Sequence, residues 1–183
     1  MPDAPGLELI AQEVNAGHPG AVTETALEHG RATLIVDPGH VLDALRWLRD
    51  TEGQRYMFLS SLHAADYLPG TPRFAVHYEL LCRDRVERLN VKALLPDPAA
   101  GNGGNGDAPL PTLPSCVELF PTAEFQEREA YDMFGISFDG HPDLRRILMP
   151  EDYVGWPQRR DFPIGGEPIL YTHNEIETPR WFE

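Results

Sequence analysis

The sequence predicts an α+β fold, a mixed or antiparallel sheet with helices on one face. Three observations point to it. Apolar residues recur with period two in some short segments and with helical spacing in others. The strand-like segments come in pairs with short junctions, which favours antiparallel neighbours. The chain has 183 residues, 42 % of them hydrophobic, enough for one core-forming domain.

Leu7, Ile10 and Val14 share a helical face and predict a short first helix. Val22–Glu28 and Arg31–Val36 read as two strands that meet at His29-Gly30, where glycine can supply a positive φ. Asp37-Pro38 then opens a helix, with Asp as N-cap and Pro at the first helical position. Its apolar stripe is Val41, Leu42, Leu45 and Leu48. Tyr56–Leu62 follows as a mostly apolar strand. Phe74, Val76, Tyr78 and Leu80 alternate along the next strand, and Leu89, Val91, Ala93 and Leu95 along the one after it. The Arg83-Asp84-Arg85 junction suits a hairpin. The predicted order is therefore α-β-β-α-β-β-β, with helices segregated to one face.

Composition changes at Pro96, since twelve of the eighteen prolines lie from there onward. The chain divides on this reading into a core domain (1–95), a flexible Pro/Gly/Asn-rich loop (96–116), a helix with an extended interface segment (117–164) and a tail (165–183). Within the loop, Gly101, Gly103 and Gly106 match the spacing of a dinucleotide-binding fingerprint. Prolines on both sides forbid the strand and helix that such a site needs. A surface loop is the better reading.

Charge narrows the function. The 29 acidic residues against 15 basic ones give a formal −14, which argues against autonomous binding to nucleic acid or anionic lipid. Two cysteines, Cys82 and Cys116, cannot alone supply an iron–sulfur cluster or a structural zinc site. No apolar run is long enough for a membrane span and no secretory signal is visible, so a cytoplasmic location is expected. His18, His29, His40, His63, His77 and His173 show no ligand spacing.

From Phe120 the sequence becomes specific. Thr122 can cap a helix that Gly135 ends. Glu124, Arg128 and Asp132 fall at i, i+4 and i+8, an alternating ladder that alone reads as a solvated, ion-paired helix face. Phe125 and Met133 lie off the ladder and are expected to face the core. After Gly140, closely spaced prolines forbid a regular helix and favour extended backbone, rich in Arg and aromatics, suited to lying along another protein.

Glu127-Arg128-Glu129, Asp132, Met133-Phe134, His141 and Asp143–Asp152 stand at a characteristic spacing, and Arg160-Asp161-Phe162-Pro163 closes the run. In these residues the chain resembles the 30 kDa subunit family of proton-translocating NADH:quinone oxidoreductase (respiratory complex I). It departs from the family pattern at Phe125-Gln126, Trp156 and Gln158. The resemblance implies a non-catalytic structural subunit of the peripheral arm, packed chiefly on the subunit that holds the quinone site and near iron–sulfur subunits. It implies no cofactor in this chain, with FMN, iron–sulfur clusters and quinone held by partner subunits. It places the chain peripherally on the cytoplasmic side of the membrane, in a respiratory translocase that couples electron transport from NADH to proton translocation. Carried over by motif, the partner interface would be Glu127, Arg128, Glu129, Asp132, His141, Asp143, Arg145, Arg146, Glu151, Asp152, Trp156, Arg159, Arg160 and Asp161. Two alternatives stay open. One is the equivalent subunit of a related membrane-bound hydrogenase or other-donor complex. The other is a stand-alone enzyme using Glu127, Glu129, Asp132 and His141 as acid–base groups.

Overall fold

The computed structural model describes residues 1–98 and 109–163. The glycine run Gly101–Gly106, His173 and the tail 165–183 lie outside the described residues.

Helix α1 (Ala4–Gly17) starts at Asp3, whose carboxylate accepts the Gly6 N–H at 2.9 Å, and buries Leu7, Ile10, Ala11 and Val14. Strands β1 (Val22–Glu28) and β2 (Arg31–Val36) form the expected hairpin. Both turn residues take positive φ, His29 at 50° and Gly30 at 73°, the twist a two-residue hairpin turn requires. Asp37 does cap, but what it caps is a 3-10 turn, Pro38–His40, by accepting the Gly39 N–H. Helix α2 (Val41–Asp50) follows and buries Val41, Ala44, Leu45 and Leu48.

Strand β3 runs Phe58–Asp66, two residues later at its start than the apolar pattern suggests, because Arg55 has positive φ and the Tyr56 N–H bonds back to Leu48 O. Strands β4 (Phe74–Cys82) and β5 (Glu87–Leu95) form a nine-residue antiparallel ladder. The sheet order is β1-β2-β5-β4-β3, and β2 pairs with β5 in parallel. The mixed sheet thus joins two antiparallel blocks through one parallel seam.

One sheet face is apolar. Leu34, Val36, Val76, Tyr78, Leu80, Leu89, Val91 and Ala93 are essentially sealed from water. Each large apolar side chain so buried contributes about 1.5–3 kcal/mol. Helix α1 packs on β1 and β2, and a third helix, α3 (Ala123–Phe134), packs on β3. The opposite face carries His63, His77 and Lys92 in register across three strands. Burial, then His63 and Lys92, hold the His77 imidazole down at about 4, so it stays neutral on this face.

A second, two-stranded sheet has no counterpart in the sequence reading. Strand β6 (Thr112–Pro114) pairs in parallel with β7 (Ser137–Asp139), which places α3 between them as a crossover. Leu113, Phe120, Met133, Phe134, Ile136 and Phe138 from this unit enter the same apolar cluster as the main sheet. The core therefore continues past residue 95.

Candidate functional site

Helix α3 lies across the edge strand β3. Gln126 accepts the Leu62 N–H, and the Thr122 hydroxyl donates to Leu59 O at 3.3 Å. These contacts occupy backbone groups that an edge strand otherwise leaves open. Thr122 makes no side-chain cap, since its hydroxyl is committed to β3. Gly135 ends the helix as expected, with φ 67° and ψ 41°.

The signature residues on α3 do not form a solvated ladder. Arg128, only 8 % exposed, pairs with neither Glu124 nor Asp132. Its guanidinium donates to the carbonyls of Arg145 (3.2 Å) and Arg146 (3.1 Å). Asp132 is fully buried, and one of its oxygens accepts three successive N–H groups: Ile147 at 3.0 Å, Leu148 at 2.7 Å and Met149 at 2.8 Å. Its other oxygen meets Arg146 Nη1 at 2.6 Å. Burial pushes this carboxyl up, but the Met149 N–H, Arg146 and the Leu148 and Ile147 N–H groups outweigh burial and leave it below its ordinary value. Asp132 is a charged, fully bonded anchor.

Among the described residues, the segment after Gly140 contains neither helix nor strand, as its prolines predict. Its described part turns back over α3 because its donors find acceptors there. The last four carbonyls of a helix have no partner inside it. Here Tyr131 O accepts the Gly135 N–H, Asp132 O accepts Arg146, Met133 O accepts the Gln158 N–H and Phe134 O accepts Arg159. Two cations also sit favourably at the negative end of the helix dipole. Trp156 lies over Gly135: a Cβ there would come within 2.5 Å of the indole and 2.8 Å of Arg159. Arg146 stacks on Trp156 at 4.7 Å and also donates to Gly155 O.

Glu127 is fully buried on another side of α3. It accepts from the Ser115 hydroxyl at 2.6 Å and the Cys116 N–H at 2.7 Å, tying α3 to the end of β6. Burial pushes its carboxyl above the ordinary range, and the Ser115 and Cys116 bonds only partly offset that. Burial, then Glu127, likewise raise the Cys116 thiol, so it is protonated and unreactive at neutral pH. The His141 side chain is sealed, 4.0 Å from Glu127. Its Nδ1 accepts the Asp143 N–H, so Nε2 carries the proton and donates to Glu124 O at 3.0 Å.

A second clasp had no signal in the spacing. Arg73, at the start of β4, meets Asp66 (2.9 Å), Asp97 (2.7 Å) and Asp161 (2.6 Å). The Arg160 N–H also donates to Asp66. This clasp pins residues 160 and 161 to the main sheet. Arg159, buried between Phe74 and Trp156, belongs to the same junction.

The fourteen expected interface residues therefore divide. Glu127, Arg128, Asp132, His141, Arg146 and Arg159 are committed inside the chain, and Trp156 is half-buried. Glu129, Asp143, Arg145, Glu151, Asp152, Arg160 and Asp161 face solvent, with Arg145 and Asp143 paired at 2.8 Å. Phe125 is 58 % exposed, so it faces outward and not into the core, whereas Met133 is buried as expected. The reason is that Gln126 and Glu127, beside Phe125, take the inward positions through hydrogen bonds.

Comparison with known proteins agrees with the resemblance. The sequence model of the respiratory-chain NADH dehydrogenase 30 Kd subunit family matches residues 34–168. The chain is 41 % identical over 178 residues to an NADH-quinone oxidoreductase subunit of Saccharopolyspora erythraea, covering 96 % of this chain and 66 % of that protein. It is 41 % identical over 166 residues to the subunit of the same name from Herpetosiphon aurantiacus, covering 91 % and 90 %. Among solved structures, a chain of the membrane-bound sulfane sulfur reductase, an archaeal respiratory membrane complex, superposes with a TM-score of 0.65 at 21 % identity, over 86 % of this chain and 85 % of that one. That likeness is one of fold. Among the described residues no helix is long and apolar enough to cross a membrane.

Proposed function

Because the chain belongs to the respiratory-chain NADH dehydrogenase 30 kDa subunit family, we propose that it is a non-catalytic scaffold in the peripheral arm of an NADH:quinone oxidoreductase. In this reading it packs on the subunit that holds the quinone site and on neighbouring iron–sulfur subunits, on the cytoplasmic side of the membrane. Flavin, clusters and quinone belong to those partners, and the assembly couples electron transfer to proton translocation.

The observation that carries this reading is the use to which the signature is put. Glu127 and Asp132, two of the three carboxylates of the acid–base reading, are sealed at 0 % exposure and bonded to this chain's own backbone and side chains, which leaves Glu129 alone facing solvent. A substrate cannot reach them without dismantling the helix end. Asp132 holds the proline-rich segment after Gly140 in one shape and Glu127 ties α3 to the end of β6, which is the work of a scaffold.

The shared fold with a chain of the sulfane sulfur reductase keeps a second reading in view, an assembly with another electron donor. One experiment separates the readings. The tagged chain is captured from gently solubilised native membranes, and its companions are identified by mass spectrometry. Flavin, iron–sulfur and quinone-site subunits with NADH:quinone activity support the proposal. Companions of another oxidoreductase, without NADH activity, move it to the second reading. Turnover by the purified chain alone overturns both.

A further inference from the structure

The loop Arg145–Met149 is gripped from both sides. Arg128 takes the carbonyls of Arg145 and Arg146, and Asp132 takes the N–H groups of Ile147, Leu148 and Met149. Backbone engaged in this way cannot add as a strand to another protein. Recognition must come from side chains. The grip sorts them: Leu144 and Met149 pack against the core, while Leu148 stands 61 % and Ile147 37 % exposed.

Two more apolar residues hang from the same arginines. Val154, 79 % exposed, lies between Tyr153, whose ring Arg146 stacks on, and Gly155, whose carbonyl Arg146 binds. Phe125, 58 % exposed, lies 5.7 Å from the Arg128 guanidinium. A fully buried ion pair costs desolvation and is not in itself strong stabilisation. Here its effect is to hold an apolar turn outward in one shape, so that little ordering remains to be done on contact.

The charges around this turn are acidic. Glu129, Glu151 and Asp152 are exposed, while Arg146 and Arg128 point inward and Arg145 is matched by Asp143. An acidic rim disfavours an anionic lipid surface and disfavours a second copy of a chain whose formal charge is −14.

We propose that Ile147, Leu148, Val154 and Phe125 form the anchor by which this chain seats in an apolar recess of a neighbouring protein of the assembly, a recess rimmed by Lys and Arg. The inference rests on the scaffold reading and specifies its contact chemistry. The contact is apolar at its centre and acidic at its edge, and the conspicuous arginines of the motif act on the display itself.

The test uses the tagged full chain, captured from solubilised membranes, with co-recovery of the oxidoreductase subunits read by mass spectrometry. Ile147→Asp with Leu148→Asp is expected to lower recovery about tenfold, as loss of a desolvated interface centre does. Glu151→Lys with Asp152→Lys is expected to lower it less and to weaken its dependence on salt. Amide exchange at residues 147–149 and the melting temperature check that the display survives. If the double aspartate variant melts lower, Leu148→Gln with Val154→Gln takes its place.

Wild-type recovery by a well-folded anchor variant overturns the inference and leaves the scaffold reading standing. If the wild-type chain itself recovers no such subunits, both fall together. Two other results also overturn it: binding of the purified chain to phosphatidylglycerol vesicles that the anchor variant loses, or a dimer in sedimentation that the anchor variant abolishes.

Discussion

The main sheet and the cap over the end of α3 reach order by different physics. Across β2, β4 and β5, apolar side chains alternate, and burying them is what holds the strands in register. In the cap, residues 143–162 form no ladder and bury few large apolar groups. Up to residue 159 they are held by the Asp132 carboxylate, the guanidinium groups of Arg128, Arg146 and Arg159 and the open carbonyls of a helix end, and residues 160 and 161 by Asp66 and Arg73. The first kind of order tolerates any apolar residue of similar size. The second fails when one hydrogen-bonding atom is removed, because what remains is a buried charge without a partner.

Asp132→Ala gives the largest expected effect. It leaves Arg146 unpaired and three N–H groups without an acceptor, and breaking a buried pair of this kind costs about 3–5 kcal/mol. Amide exchange should accelerate most at residues 146–159. Protection there equal to wild type would mean that apolar contacts around Trp156, and not the charges, hold the cap. Leu80→Ala is the counterpart in the sheet. Leu80 is fully buried opposite Leu59 and Leu89, so a loss of about 2–5 kcal/mol in chemical denaturation is expected. If its exchange pattern opens sheet and cap together, the two regions are one cooperative unit; if the sheet opens alone, the distinction holds.

Arg145 and Arg146 make the comparison within two adjacent residues. Arg146→Glu sets a carboxylate against Asp132 in a sealed site and is expected to unlatch the cap. Arg145→Glu meets only exposed Asp143 and is expected to change stability by less than about 0.5 kcal/mol. Thermal melts of the two variants side by side read the difference. Equal destabilisation would show that the cap responds to overall charge and not to the one buried pair.

The same division explains what could be read from the sequence. Strands β2, β4 and β5 and helices α1 and α2 were legible because period and burial coincide there, and β1, which buries only Val22, because the His29-Gly30 turn joins it to β2. The β2–β5 parallel seam was not, since nothing local records which strand a distant segment will choose. Strands β6 and β7 have three residues each, too few for a period. In the cap, the family resemblance singled out Glu127, Arg128 and Asp132, while spacing misassigned their partners: i, i+4 geometry pairs Arg128 with Asp132 on a solvated face, whereas Asp132 has Arg146 and three N–H groups brought by a turn that local spacing does not encode. Phe125 went astray for a related reason, because hydrophobicity pointed it inward and hydrogen-bonded neighbours pointed it out. Arg73 left no trace because its three aspartates come from positions 66, 97 and 161.

The smallest effect tests the electrostatic account most directly. Glu127 and Asp132 lie on one helix and both are sealed, yet their carboxyls shift in opposite directions. Asp132 is lowered, so it contributes stability above its unfolded value of 3.8 that is lost as pH falls through its folded value. Glu127 is raised, so the folded chain holds its proton more tightly than the unfolded chain does. Stability from this group is therefore fully present below its unfolded value of 4.5 and declines as pH rises through its folded value. Glu127→Gln keeps an oxygen for the Cys116 N–H and offers its amide to the Ser115 hydroxyl, so the β6–α3 tie survives. The variant is expected to lose the decline above pH 4.5 and to match or exceed wild-type stability at pH 7. Denaturant melts at pH 4, 5, 6 and 7 measure this. A wild-type slope retained in the variant would assign the decline to another group, and a large loss at every pH would mean that the ionised carboxylate itself holds the tie.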